Sequence, residues 1–224
     1  MKKPLILKFY KELAEGGYAT VHQVTRFAER VSRIYTEGTL VRLLQHQEKR
    51  VRGAALIALR FVGAMTACQE VAHLLYDGDE QIREVAEGTL WSLWFRGEST
   101  EDASELQRLA QLIVDENYPQ ALSGLNRLIK RSPQYAEAYN QRAILNWKRN
   151  KFKNALADCK KVLRLNPFHF GAQAGMAQCY LEMKKPLEAL ESFRQALKIN
   201  PNLKGVEENI QVLEELLGSE ENES

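Results

Sequence analysis

The chain has 224 residues, 31 of them Lys or Arg and 29 Asp or Glu, giving a formal charge of +2 that is unevenly spread. That length admits two modest domains or one elongated array, and no apolar run approaches the ~20 residues of a membrane-spanning helix. Cys68, Cys159 and Cys179 form no C-x-x-C pair, so buried reduced thiols and a cytoplasmic protein are expected.

Residues 1–35 read as an N-terminal helical cap. Leu5, Phe9 and Leu13 mark one face before Gly16-Gly17 interrupt it, and Val21, Val24, Phe27, Ala28, Val31 and Ile34 follow a helical stripe. After Lys2-Lys3 the apolar run from Pro4 is broken at Lys8, too short for a secretory signal. Lys8, Lys11, Arg26, Arg30 and Arg33 outnumber the nearby glutamates, and a solvated outer face explains them better than a membrane-surface helix.

Residues 36–98 repeat with a period of 31. Leu43-Leu44 matches Leu74-Leu75, Val51-Arg52 matches Ile82-Arg83, Ala55 matches Ala86 and Leu59 matches Leu90. Each copy predicts a short helix, a polar turn (45–49; 77–80) and a longer helix, with Thr66 and Gln69 placed as a capping box for the second copy. The pattern resembles HEAT-type repeats, whose recurring aspartate and arginine are structural, and Arg52 and Arg83 are expected to bond neighbouring turns. Trp91 and Trp94, one turn apart, are expected to pack a seam, with Gly97 ending their helix. The join at 98–102 is too short for a flexible linker, and one continuous superhelix is expected.

Residues 99–203 carry a different period of 34. Ala155 and Ala189, Leu156 and Leu190, Leu163 and Leu197, and Pro167 and Pro201 are each separated by it, and one step back lie Ala121, Leu122 and Pro133. Such a period marks stacked helical hairpins that cannot bury their apolar faces singly. Asn166-Pro167 and Asn200-Pro201 end second helices, because proline disfavours helical geometry in the residue before it. Residues 204–218 predict an amphipathic capping helix through Val206, Ile210, Leu213 and Leu217, ended by Gly218. Residues 219–224 read as a disordered acidic tail.

The 34-residue unit resembles the tetratricopeptide (TPR) repeat. Met176-Ala177, Tyr180, Ala189, Phe193, Ala196 and Pro201 supply nearly all of its pattern. The copy before it keeps Tyr139, Ala143, Ala155 and Pro167 but departs at Arg142, Asn146, Cys159 and Val162, and the copy at 102–135 is looser. From about residue 40 the order of repeats also resembles small bacterial HEAT–TPR proteins, which implies an architecture and no activity. The expected fold is all-α, a right-handed α-α superhelix of HEAT-like hairpins, three TPR hairpins and a cap.

The resemblance implies a concave groove lined by the first helix of each hairpin. By register its residues are Ile113, Val114, Asn140, Gln141, Ile144, Trp147, Lys148, Gly171, Ala174, Gly175, Gln178 and Leu181. Trp147 anchors this groove or belongs to the core. The lysine–asparagine–arginine clamp by which some TPR domains hold acidic C-termini would fall on Leu106, Ala110, Gln141, Gly171 and Gly175, and only Gln141 could imitate it. The four histidines stand apart from metal-ligand spacing, and there is no glycine-rich phosphate loop or nucleophile elbow. No cofactor, metal or catalytic residue is expected.

The leading expectation is a protein-interaction adaptor whose partner is a protein or peptide. Nucleic-acid binding by the basic stretch Arg142 to Arg164 is the alternative, but its lysines lie on the outer helix without interleaved aromatics. A HEAT-fold lyase-type enzyme would need a pocket that two short copies barely form.

Overall fold

A computed structural model of the chain describes residues 4–14, 20–97 and 99–222. Among these residues the regular elements are all helices, in repeated hairpins, and no strand occurs. The chain divides into two compact units, Met1–Arg96 and Gly97–Ser224.

In the first unit α1 (Ile6–Ala14) and α2 (Val21–Ile34) pair through Ile6, Phe9, Phe27 and Val31. The Gly16-Gly17 break expected between them lies outside the described residues. Thr20 and Gln23 form a reciprocal capping box at the start of α2. Two hairpins follow, α3 (Glu37–Leu43) with α4 (Lys49–Val62) and α5 (Cys68–His73) with α6 (Glu80–Arg96). They stack α4 on α6, and the 31-residue period reappears as burial of Ala55, Leu59, Ala86 and Leu90.

Polar bonds lock these two hairpins together. The Arg52 guanidinium grips Asp77 with two hydrogen bonds of 2.8 and 2.9 Å and also donates to the carbonyls of His46 and Gln47. Arg83 donates to the Asp77 carbonyl at 2.9 Å. Both arginines therefore bond turns of the stack. The capping box expected at Thr66 and Gln69 does not form. Thr66 donates to the Glu37 carboxylate, which also accepts the Ala64 N–H at 2.7 Å. A charged acceptor from the preceding hairpin outcompetes the neutral Gln69, and α5 starts later, at Cys68, after a 3₁₀ turn. Trp94 is buried, edge-on to Trp91. Burial beside it pushes the Cys68 thiol up to about 11.

The second unit contains α7 (Thr100–Val114), α8 (Tyr118–Arg131), α9 (Ala136–Lys148), α10 (Phe152–Leu165), α11 (Phe170–Glu182), α12 (Pro186–Ile199) and α13 (Val206–Asn222). Its period is written into the backbone. Glu116, Asn150 and Lys184, spaced by 34, all have positive φ of 57–58°. The next N–H in each turn reaches back to the carbonyl of Leu112, Asn146 or Tyr180 at 2.8–2.9 Å. This is a Schellman closure made without glycine. Ser132, Asn166 and Asn200 end the second helices, each before a proline, and Asn166 and Asn200 are in extended geometry. Gly124 lets α8 close on α7, because a Cβ there would overlap the Leu109 side chain.

The chain departs from expectation at its last helix. α13 runs through Gly218 to Asn222 instead of ending there. Gly218 is not left-handed and has open space around it, so its cost is only the ~1 kcal/mol of glycine inside a helix. Residues 223–224 of the expected disordered tail lie outside the described residues.

Candidate functional site

The first helices α7, α9 and α11 are neighbours, with α9 packed against both others. The positions on them that the TPR register assigns to a groove divide by exposure. Val114 is 70% exposed, Ile144 40%, Trp147 37% and Leu181 36%. Lys148 and Gln178 are also exposed, and Gly171, Ala174 and Gly175 are half-buried, forming a low wall without long side chains. Trp147 therefore presents a face to solvent and is not a core residue. Ile113, at the equivalent place one repeat earlier, is 3% exposed and belongs to the core.

Asn140 and Gln141, expected to offer amides to a ligand, are buried and committed elsewhere. Both donate to Glu137 Oε1, at 2.9 and 2.8 Å. Glu137 is itself buried, and its Oε2 lies 2.9 Å from Nε2 of the fully buried His169. His169 Nδ1 accepts the Ala172 N–H at 3.0 Å and so caps α11. That bond places the neutral ring's proton on Nε2, which donates to the carboxylate. Glu137 thus accepts three hydrogen bonds and ties α9 to the start of α11. Burial, with Glu137 and Asp102 nearby, pushes the Tyr135 phenol above its ordinary value. Sequence reading passed over His169 because an isolated histidine gives no periodic signal; its place before Phe170, at a helix start, was the available hint.

The departures of the middle repeat from the TPR pattern explain one another. Arg142 and Asn146 stand where the next repeat has Met176 and Tyr180, and Asp158 stands where it has Ser192. Arg142 donates to both Asp158 oxygens at 2.9 and 2.7 Å and to Asn126 Oδ1 at 2.7 Å, while Asn146 donates to Asp158 at 3.3 Å. These groups line a polar cleft of about 450 Å³. The equivalent cleft one repeat later, about 600 Å³, is lined by Leu163, Met176, Tyr180 and Leu187. Arg142 is neutralised by Asp158, and the Lys160 and Lys161 ammonium groups lie 5.8 and 5.7 Å from the rings of Tyr180 and Tyr139.

Cys159 and Cys179 meet between α10 and α11. The adjoining Cys179 thiol and burial together hold the Cys159 thiol above the ordinary range. All three cysteines are buried and unlinked. Among the described residues no group of His, Cys, Asp and Glu could hold a metal ion, and no helix is long and apolar enough to cross a membrane.

Residues 136–169 and 172–203 match the family model of the tetratricopeptide repeat. A TPR repeat-containing protein of Rhizobium etli is 31% identical over 112 residues, 50% of this chain and 55% of that protein. Hsp70-Hsp90 organizing protein 1 of Glycine max is 32% identical over 92 residues, 41% of this chain and 16% of that protein. The chain therefore spans about half the length of the first relative and far less of the second. Among solved structures, the Sgt2 TPR domain of Aspergillus fumigatus has a TM-score of 0.52 at 12% identity, covering 56% of this chain and 84% of that domain. The first TPR domain of Spaghetti (RPAP3), bound to the HSP90 peptide SRMEEVD, has a TM-score of 0.51 at 17% identity, covering 54% of this chain and 96% of that domain. These likenesses show a shared helical-repeat fold, and the second unit carries tetratricopeptide repeats at 136–169 and 172–203.

Proposed function

We propose that this chain is a non-catalytic protein-interaction adaptor that holds an extended peptide or partner helix on the inner face of its TPR unit. The observation carrying this reading is the exposure of Val114, Ile144, Trp147 and Leu181, large apolar side chains at positions that the TPR register assigns to the inner face. Water-exposed apolar groups gathered on one concave face favour a partner that covers them. Lys148, Gln178 and the low wall of Gly171, Ala174 and Gly175 complete the surface. Ile113, Asn140 and Gln141 support it from beneath, through packing and through Glu137. The similarity to Hsp70-Hsp90 organizing protein 1 supports an adaptor as the class.

On the same reading, 102–135 is a looser third TPR copy, 36–98 a HEAT-like pair after an N-terminal cap at 1–35, and 204–218 the solvating end of the array. This is the order of the small bacterial HEAT–TPR proteins, and it fits a cytoplasmic protein.

The test is capture of partners from lysate by the intact chain beside Trp147→Ala. A buried aromatic anchor contributes about 2 kcal/mol or more to an interface, so the variant should lose partners that the parent retains. Its unfolding temperature should be almost unchanged, because Trp147 is not core. Equal capture by both proteins would overturn the assignment. Loss of capture that persists in high salt separates this reading from nucleic-acid binding, which weakens steeply as salt rises.

A further inference from the structure

The exposed apolar side chains of the second unit do not stop at α11. Val212 and Leu216 on α13 are 64% and 46% exposed. Continuing the 34-residue register, Val212 falls where Ile144 and Gln178 stand, and Leu216 where Lys148 and Glu182 stand. Glu215 falls where Trp147 and Leu181 stand, and Glu208 where Asn140 and Ala174 stand. α13 packs on the α11–α12 hairpin through Val206, Ile210, Leu213 and Leu217, against Ala177, Leu190 and Phe193. At about 100° per residue, Glu208, Val212 and Glu215 lie on the side away from that contact. The last helix thus serves as cap on one face and continues the inner surface on another.

Its charge differs from the rest of that surface. Glu182, Glu208 and Glu215 are exposed there. Neighbouring Glu188 and Glu214 are already paired with Lys185 and Arg194, whereas those three carboxylates enter no ion pair among the described residues. An acidic segment laid on this end would meet three like charges, while a basic one would meet three unlike charges beside Leu181, Val212 and Leu216.

We infer that the inner face extends onto α13 and takes a basic, amphipathic segment of a partner protein. Its apolar side chains lie along Trp147, Leu181 and Val212, and its Lys or Arg side chains meet Glu182, Glu208 and Glu215. The inference rests on the inner-face reading above and adds the partner's chemistry and direction. Unlike charges in this arrangement select the partner and speed encounter more than they add affinity, so the apolar contacts remain necessary.

The probes are two labelled peptides of about ten residues, one alternating Leu and Lys, the other Leu and Glu. At ~3.3 Å per residue either can cross four helices ~9 Å apart. Fluorescence anisotropy should show the Leu/Lys peptide binding the intact chain about tenfold more tightly than the Leu/Glu peptide. Glu208→Gln with Glu215→Gln should weaken the Leu/Lys peptide about fivefold, and Glu208→Lys with Glu215→Lys should reverse the preference. Trp147→Ala should weaken it about tenfold or more. All these positions are exposed, and circular dichroism checks that the variants keep their helix. Equal binding of both peptides, each lost in Trp147→Ala, would overturn the basic preference and leave the inner face standing. Leu/Lys binding that ignores Trp147→Ala would place attraction on acidic residues elsewhere and overturn the inference. Binding of neither peptide would remove the inner-face reading and this one with it.

Discussion

Asp158→Ser probes whether the middle repeat holds together by a polar network where its neighbour uses an apolar contact. Ser is what the next repeat carries at this place, as Ser192, so the backbone accommodates it. The substitution removes two charge-assisted hydrogen bonds, of 2.9 and 2.7 Å, and a weaker one from Asn146 at 3.3 Å. It leaves the Arg142 guanidinium, whose side chain is 23% exposed, bonded only to Asn126 on this side. Breaking a buried ion pair costs about 3–5 kcal/mol, and partial exposure lets water replace some of the loss, so about 2–3 kcal/mol is expected. For a unit of this size Tm should fall by about 8 °C. Arg142→Met alone leaves Asp158 without its cation and should cost a similar amount. Together, Arg142→Met and Asp158→Ser copy Met176 and Ser192 into the cleft and should return to within about 1 kcal/mol of the parent. The double-mutant coupling is then about 4 kcal/mol, the sum of the two single losses less that of the double variant, read from urea titrations followed by far-UV circular dichroism. A loss below about 0.5 kcal/mol for Asp158→Ser, or a double variant no more stable than the weaker single one, would refute the reasoning.

Gly124→Ala should destabilise the second unit by about 1–3 kcal/mol in the same titration, because its methyl group overlaps the Leu109 side chain. Lys184→Gly should instead stabilise it by up to about 1 kcal/mol, since Lys184 holds a left-handed conformation with φ 57°; Asn150→Gly should gain less, asparagine tolerating that geometry. A peptide ending in two free acids should bind poorly in calorimetry, because the clamp positions hold Leu106, Ala110, Gly171 and Gly175, and Gln141 is buried on Glu137. Carboxylate-dependent binding at micromolar Kd would contradict that prediction.

Much of the helical layout was legible because its causes are local. Apolar spacing at 31 and 34 residues, prolines after Ser132, Asn166 and Asn200, and small residues such as Ala143 and Ala177 act within one hairpin or between adjacent ones. The same register put Val114, Ile144, Trp147 and Leu181 on a side of their helices where the structure leaves them exposed, because a helix turns its side chains by a constant angle. Where a side chain's fate depends on its partners, periodicity falls silent. Asn140 and Gln141 occupy inner positions yet bond to Glu137, whose other oxygen meets His169 from the following hairpin.

The end of a helix behaves in the same way. Gly218 resembles a stop signal, but a glycine stops a helix only by taking a left-handed conformation, and α13 carries it through in helical geometry. Thr66 followed by Gln69 resembles a cap, but Glu37 on the preceding hairpin offers a charged acceptor. The class of fold, the two periods and the direction of each helix face were readable from the residues alone, since these follow from covalent geometry and nearest-neighbour packing. Which polar groups on those faces stay unbonded depended on how the hairpins stack. A buried donor takes whichever acceptor comes within about 3 Å, and residues such as Glu137 and His169, 32 apart in the chain, meet only after the hairpins have stacked.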